Sequence, residues 1–225
     1  MLILGIDTAT KICSVALCRD QQVLGEYTVD AGVTHSQRLL PALDRLLQDC
    51  GVEKQDVNLV AVSMGPGSFT GLRIGLATAE AFAYARQTYL HGVDTLQALA
   101  WNYKVDEVLL CPVMDAQKGN YYRALYVWRA GELVCLRPTE IVAKADLWQK
   151  IGDSSCILLG ECSKITELPE NVRLAEPQLR MPRATGVCGL AFRDFTAEAD
   201  KKIFGLEPYY LRKSEAEELW EQQHR

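Results

Sequence analysis

Two aspartates stand first among the residues that could do chemistry. Asp7 closes the apolar run 2–6, and Asp115 closes the apolar run 107–114; the polar turns "TATK" and "AQKGN" follow them. Two carboxylates on opposed turns could hold a magnesium ion, with Thr8, Thr10 and loop amides on the phosphates of a nucleotide. The same acids also suit a plainer role, bonding their own backbone within the turn. A third feature is the stretch "SMGPGSFTGLRIG" at 63–75, which carries Gly65, Gly67, Gly71 and Gly75 between an apolar run and a helix-forming run. Strand, glycine loop and helix N-terminus make a natural anion site. The spacing, however, fits no dinucleotide fingerprint: Gly71 comes one position late, and no acid follows on a second strand. No Lys-Ser or Lys-Thr follows the last glycine, so it is not a P-loop, and Pro66 has no N–H to give.

Metal and nucleophile chemistry is thinly supplied. The three histidines, His35, His91 and His224, lie far apart. The eight cysteines form no CxxC pair, and several sit inside apolar runs, as Cys111 does in "VLLCPV". That usage fits free, buried thiols in a reducing cytoplasm better than zinc ligands or disulfides. No histidine is placed to activate a particular serine or cysteine, which leaves a peptidase reading unsupported.

The elements that must position these residues repeat. After the run ending at Asp7, "ICSVALC" (12–18) and "VLGEYTV" (23–29) complete a three-strand antiparallel meander. After the run ending at Asp115, "YYRALYVW" (121–128) and "LVCLRPTEI" (133–141) do the same about 108 residues later. The first meander leads to "THSQ", a capping-box pattern with Thr34 as N-cap. A helix follows whose apolar face holds Leu39, Leu40, Leu43, Leu46, Leu47 and Cys50. Pro41 predicts a kink and Gly51 a stop. "LVAVSM" (59–64) reads as a strand buried on both faces, the glycine loop and a helix to about Arg86 follow, and "YLHGV" (89–93) with a short helix from Asp94 or Thr95 closes the unit. The second unit offers a helix near 143–150, a strand at 156–160, a connecting loop over 176–186 and a helix near 185–199. Three antiparallel strands followed by alternating helix and strand, twice over, predict an α/β protein of two RNase H-like lobes, the second smaller. We place them at 1–103 and 104–225.

Bulk properties agree. A chain of 225 residues with 48% hydrophobic and 24% charged residues can bury a core without staples. No apolar run reaches the roughly 18 residues that span a bilayer. The start Met1-Leu2-Ile3 looks like a first strand, not a signal peptide. A net charge of −5 is poorly suited to holding a polyanion alone, so a nucleic acid would need positive charge from another subunit.

The helix after the glycine loop is unusual. Over 72–85 its only charges are Arg73 and Glu80, and Gly75, Ala79, Ala83 and Ala77, Ala81, Ala85 form two adjacent stripes of small residues. A helix apolar nearly all round is buried. Either it is enclosed within this chain, or one side meets another chain whose helix approaches closely over the small residues.

The stretches "ILGIDTAT" (3–10), "HSQRLLP" (35–41), "GPGSFTGLRIGLATAEAFA" (65–83), "MDAQKGNYY" (114–122) and "EPYYLR" (207–212) resemble the TsaB, or YeaZ, family of the bacterial threonylcarbamoyladenosine pathway. The resemblance implies the actin/hexokinase-like duplication. It also implies a non-catalytic subunit pairing with the transferase TsaD, joined by the ATPase TsaE, in modifying the adenosine beside the tRNA anticodon. Pairing would run through helices of the first lobe, with His35, Leu39, Leu43, Leu46, Leu72, Gly75, Leu76, Ala79, Phe82 and Ala83 as contact residues, and Gly65, Gly67 and Gly71 as a structural loop. The catalytic relatives carry a metal-binding His-x-x-x-His pair on the corresponding helix. Here His35 is followed by Leu39, which breaks that pair, and no metal is expected. A Gly-Gly adenine loop is also missing, "LLGECSK" (158–164) being the nearest stretch. Asp7, Thr8, Thr10 and Asp115 mark a nucleotide-like cleft, no cofactor is required of this chain, and ATP or ADP would belong to the interface of the complex. The isolated chain could pair with itself. The alternative is an autonomous ATP-dependent phosphotransferase working through Asp7 and Asp115.

Overall fold

The computed structural model describes residues 1–30, 32, 34–198, 203–212 and 220. Its first half opens with β1 (Leu2–Asp7), β2 (Ile12–Arg19) and β3 (Gln22–Asp30). Then come α1 (His35–Asp49), β4 (Leu59–Ser63), α2 (Phe69–Arg86), β5 (Tyr89–Val93) and α3 (Thr95–Trp101). The second half repeats the meander as β6 (Leu109–Gln117), β7 (Asn120–Arg129) and β8 (Glu132–Ala143), followed by β9 (Cys156–Gly160), β10 (Val172–Leu174) and α4 (Ala184–Asp194). The two sheets have the same order, β3-β2-β1-β4-β5 and β8-β7-β6-β9-β10, with the meander antiparallel and the last two strands parallel. This is the predicted α/β duplication of two RNase H-like lobes. The central strands β1 and β4 are buried throughout and apolar up to their last residues, Asp7 and Ser63, because both sheet faces are covered.

One face of the first sheet carries α1 and α2, with Leu39, Leu43, Leu46, Leu76, Ala79 and Ala83 packed on Leu4, Ile6, Val60 and Val62. The other face carries α4, whose Val187, Cys188 and Ala191 meet Ile3, Ala16, Leu59 and Ala61. Helix α3, although it comes from the first half of the chain, lays Leu96 and Leu99 against Leu110, Tyr126 and Leu159 of the second sheet. The helices α3 and α4 thus sit between the two sheets, each packed on the sheet built by the other half. They touch over glycines: a β-carbon on Gly186 would lie 2.6 Å from the Ala98 carbonyl oxygen, and one on Gly189 would lie 2.4 Å from Trp101 Nε1. Glu26 on the edge strand β3 ties α4 down. Its carboxylate accepts from Arg183 Nε at 2.9 Å and from the Thr185 backbone N–H and hydroxyl at 3.3 and 3.1 Å, beside the Ala184 N–H, which donates to Ser14 Oγ at 2.9 Å, at a helix start whose own N-cap side chain makes no bond.

Several sequence expectations need correction. Thr34 is the N-cap of α1, but its side chain makes no capping bond and instead accepts from Arg38 Nε at 3.3 Å; the capping box is not formed. Leu40 faces outward at 59% exposure, although its hydrophobicity placed it with the buried leucines. The helix expected near 143–150 is a single 3-10 turn, Lys144–Asp146. A buried arginine replaces it: Arg123 Nη1 donates to the carbonyls of Leu147 and Gln149 at 2.6 and 2.8 Å, and Nη2 pairs with Glu140 at 2.5 Å. Those carbonyls therefore need no helical partners. The short strand β10 lies in a stretch that gave no periodic signal.

Candidate functional site

The glycine loop 65–71 is filled by the turn after β1. Asp7 is fully buried; one carboxylate oxygen accepts the Ala9 N–H at 3.1 Å and the other accepts the Ser63 hydroxyl in a short bond. Burial is the largest influence on this acid and raises its pKa above 3.8, against the lowering effects of Ser63, Ala9 and His35. Thr8 is also buried, and its hydroxyl donates to the Gly71 carbonyl at 2.8 Å. Ser68 N–H donates to the Ala9 carbonyl at 2.6 Å, and Gly67 lies so close that a β-carbon would come within 2.5 Å of the same oxygen. At Gly71 and Gly75 a β-carbon would fall 2.1 Å from the Thr8 carbonyl oxygen and 2.3 Å from the Thr8 hydroxyl. These glycines are small because the Asp7–Ala9 turn presses on them.

Several of the amides a phosphate could use are already bonded. Gly65 N–H donates to Thr95 Oγ1 at 3.1 Å, Ser68 N–H to Ala9, and Gly71 N–H to Ser68 Oγ at 3.2 Å, while Pro66 has none. Gly65, Gly67 and Gly71 thus form a tight strand-to-helix turn. Thr10 is buried as well, its hydroxyl accepting the Ile12 N–H at 3.1 Å and its carbonyl lying 2.7 Å from His35 Nε2.

The second acid is placed differently. Asp115 is half-buried, pairs with Lys164 Nζ at 2.5 Å, and accepts the Gln117 N–H at 2.7 Å. Burial is the largest single influence and pushes its pKa up, but the Lys164 ammonium, the Gln117 N–H and the Lys164 charge together hold it below 3.8. The nearest stretch to an adenine loop folds onto β6. Glu161 accepts the Asp115 N–H at 2.9 Å, and a β-carbon on Gly160 would lie 2.1 Å from the Val113 carbonyl oxygen. Both aspartates are therefore engaged by their own turns, the plainer of the two roles open to them in the sequence. Among the described residues no three His, Cys, Asp or Glu side chains come together as a metal site. His35 is buried with Leu39 one turn on. His91 lies on β5, and His224 is outside the described residues.

The residues proposed for a partner surface fall on the wrong side of their helices. Leu39, Leu43, Leu46, Leu72, Gly75, Leu76, Ala79, Ala83 and His35 are all buried inside this chain, and Phe82 is half-buried. The Gly75-Ala79-Ala83 stripe meets its own sheet and the Thr8 turn. The second stripe, Ala77, Ala81 and Ala85, is exposed together with Thr70, Arg73 and Tyr84. On α1 the outward residues include Ser36, Gln37, Leu40, Pro41 and Asp44. The Ala77-Ala81-Ala85 stripe of α2 is thus small and uncharged, while the outer side of α1 carries Arg38, Asp44, Arg45 and Asp49.

A family model described as TsaD, tRNA N6-adenosine threonylcarbamoyltransferase, matches residues 29–151. The chain is 34% identical over 228 residues to the tRNA threonylcarbamoyladenosine biosynthesis protein TsaB of Bacillus subtilis, covering 98% of each. This chain belongs to the TsaB family. The TsaB of Escherichia coli is 31% identical over 96% of both chains. YeaZ from Pseudomonas aeruginosa superposes with a TM-score of 0.76 at 25% identity, over 88% of this chain and 92% of that one.

For this TsaB family member, several residues that organise the site gave little sequence signal. Ser63 ends an otherwise apolar strand, a polar residue at the one position facing Asp7. Glu26 and Arg123 read as ordinary strand charges. The strongest surprise is the "EPYYLR" stretch. Tyr209 N–H donates to the Met64 carbonyl at 2.7 Å, Tyr210 stacks on Phe69 with ring centres 4.9 Å apart, and Arg212 Nη1 donates to the Ala116 carbonyl at 2.6 Å.

Proposed function

We propose that this chain is a non-catalytic subunit of a tRNA threonylcarbamoyl transferase, pairing with a TsaD-type chain through the outer side of α1 and α2. Membership of the TsaB family supports a place in threonylcarbamoyladenosine biosynthesis. The observation that carries the subunit reading is the exposed Ala77-Ala81-Ala85 stripe on α2, small, uncharged and open to close approach by another helix, together with the exposed Leu40 on α1. The family model for the transferase also covers α1 and α2. A partner of the same fold would thus bring an equivalent helix pair, and the two would meet about a pseudo-twofold axis. The same surface serves self-association when the transferase is absent.

On this reading the chain supplies no acid, base, nucleophile or metal. Its aspartates stabilise turns, and nucleotide belongs to the transferase, to a TsaE-type ATPase or to their interface. With a net charge of −5, tRNA is held through the partners. Eight free thiols, seven of them buried or half-buried, support a place in the reducing cytoplasm. No helix among the described residues is long and apolar enough to cross a membrane.

Co-purification tests the pairing. Wild-type chain should retain a TsaD-type transferase, and Ala81→Arg should release it while keeping the wild-type Tm. Retention by Ala81→Arg at wild-type affinity would refute the surface. Titration of the isolated chain with Mg-ATP tests the phosphotransferase alternative; micromolar binding abolished by Asp7→Ala would favour that alternative.

A further inference from the structure

The carboxyl-terminal stretch 203–212 runs as a strap along α2, antiparallel to it. Phe204 packs on Tyr84 near the end of the helix, with ring centres 5.3 Å apart. Leu206 and Ile203 reach into the core below α2. Tyr210 arrives at the helix start beside Phe69, with ring centres 4.9 Å apart, and its hydroxyl accepts from Arg73 Nε at 3.0 Å. The Arg73 guanidinium itself lies 3.8 Å over the Phe69 ring. One flank of α2 is therefore lined by Phe69, Arg73 and Tyr84 with the strap upon them.

The strap covers this flank without hiding its own apolar groups. Phe204 is 61% exposed, Tyr209 52%, Tyr210 42% and Leu211 44%, and Tyr84 beneath remains 57% exposed. A strap whose only task was to seal the core would turn these rings inward. Scattered exposed apolar residues need no explanation, but these fall into two groups, Phe204 with Tyr84 at the end of α2 and Tyr209, Tyr210 and Leu211 at its start, which bracket the helix with apolar surface of the kind that binds. The area requirement points the same way. A stable interface covers about 800 Å² on each side, and alanine methyls on α2 supply little of it. A half-exposed aromatic side chain adds on the order of 100 Å², so this group supplies roughly half of what is needed.

We infer that the strap is a third strip of the partner surface: a helix of the transferase lies over the Ala77-Ala81-Ala85 stripe with one side against Phe204, Tyr210 and Leu211. This rests on the pairing proposed above and names the part of the surface that discriminates and tightens it. Tyr209 joins the strap to the glycine turn, since its N–H is bonded to the Met64 carbonyl and its own carbonyl oxygen lies 3.1 Å from where a Gly65 β-carbon would be. The partner would therefore read strap and α2 as one rigid unit.

The test uses full-length chain and the transferase, with calorimetry or sedimentation to measure affinity. Phe204→Asp, at an exposed position, should keep the wild-type Tm and weaken pairing at least tenfold; Tyr210→Phe, which keeps the ring, should stay within twofold. Unchanged or tighter pairing by Phe204→Asp would overturn the inference. If Ala81→Arg weakens pairing and Phe204→Asp does not, the strap assignment alone fails; if the wild-type chain does not bind, both fail. Should Phe204→Asp not fold, hydrogen exchange on the wild-type complex decides: slowed exchange of amides 204–211 on pairing supports the strap contact, and unchanged exchange refutes it.

Discussion

The Thr8 hydroxyl donates to the Gly71 carbonyl at 2.8 Å and also occupies the space where a Gly75 β-carbon would sit, 2.3 Å away. One residue thus accounts for two glycines, its hydroxyl for Gly75 and its backbone oxygen for Gly71. In a nucleotide-binding relative of this fold, open space and free amides would be wanted at this junction. Here the strand-to-helix turn and the first meander are closed on each other, which fixes the start of α2 and with it the direction of its outer stripe.

Gly75→Ala should therefore cost about 2–3 kcal/mol in urea unfolding, a typical overpacking penalty. In a Thr8→Ala background the cost should fall by about 1 kcal/mol or more, because the obstructing hydroxyl is gone. Gly71→Ala should not be rescued, since its obstruction is the Thr8 backbone oxygen. Equal costs for Gly75→Ala in both backgrounds would contradict the contact.

Burial raises the pKa of Asp7 in the folded chain above 3.8. The sign follows from linkage: stability from this group is fully present below pH 3.8 and is lost as pH rises through the higher native value. Asp7→Asn can keep both hydrogen bonds and does not titrate. Its stability relative to wild type should rise with pH above about 4 and level off once the native acid has ionised. A variant uniformly less stable than wild type at every pH would contradict this.

Much of this was legible in the sequence. The two meanders were readable because β1, β2, β6 and β7 lie in the middle of their sheets, where burial on both sides enforces unbroken apolar runs closed by polar turns. The helix α2 was readable from its length and its lack of charge. Its inward side was not. Gly75, Ala79, Ala83 and Ala77, Ala81, Ala85 are chemically alike, and only the position of Thr8 decides which stripe faces in. In the second half, Arg123 replaces a helix with hydrogen bonds to loop carbonyls, and a single buried guanidinium has no periodicity to detect. The strap was quoted as a motif, yet its partners, Met64, Phe69 and Tyr84, lie more than a hundred residues away.

The inward and outward stripes make opposite forecasts for similar substitutions. Ala79→Trp should unfold the chain or lower its stability by more than about 3 kcal/mol, because Ala79 is fully buried between α2 and the first sheet. Ala77→Trp should fold normally and fail to pair. Thermal melts with a binding assay separate the two. Loss of pairing by Ala79→Trp with a wild-type Tm would invert the assignment of faces.

Glu26 closes the start of α4 from the far edge of the first sheet. Glu26→Ala leaves the Thr185 N–H and the Arg183 guanidinium without their carboxylate, and should cost about 1–3 kcal/mol in chemical denaturation. Glu26→Gln should cost less. An Ala variant as stable as wild type would mean that α4 is held by its apolar face alone.

The most direct test of the subunit role is reconstituted tRNA modification. The TsaD-type transferase and the TsaE-type ATPase would be supplied with threonylcarbamoyladenylate and tRNA, with and without this chain, and threonylcarbamoyladenosine quantified by mass spectrometry. The account predicts turnover that depends on this chain, is lost with Ala81→Arg, and survives Asp115→Asn. Full turnover without the chain, or turnover abolished by Asp115→Asn in a chain that still folds and pairs, would contradict it.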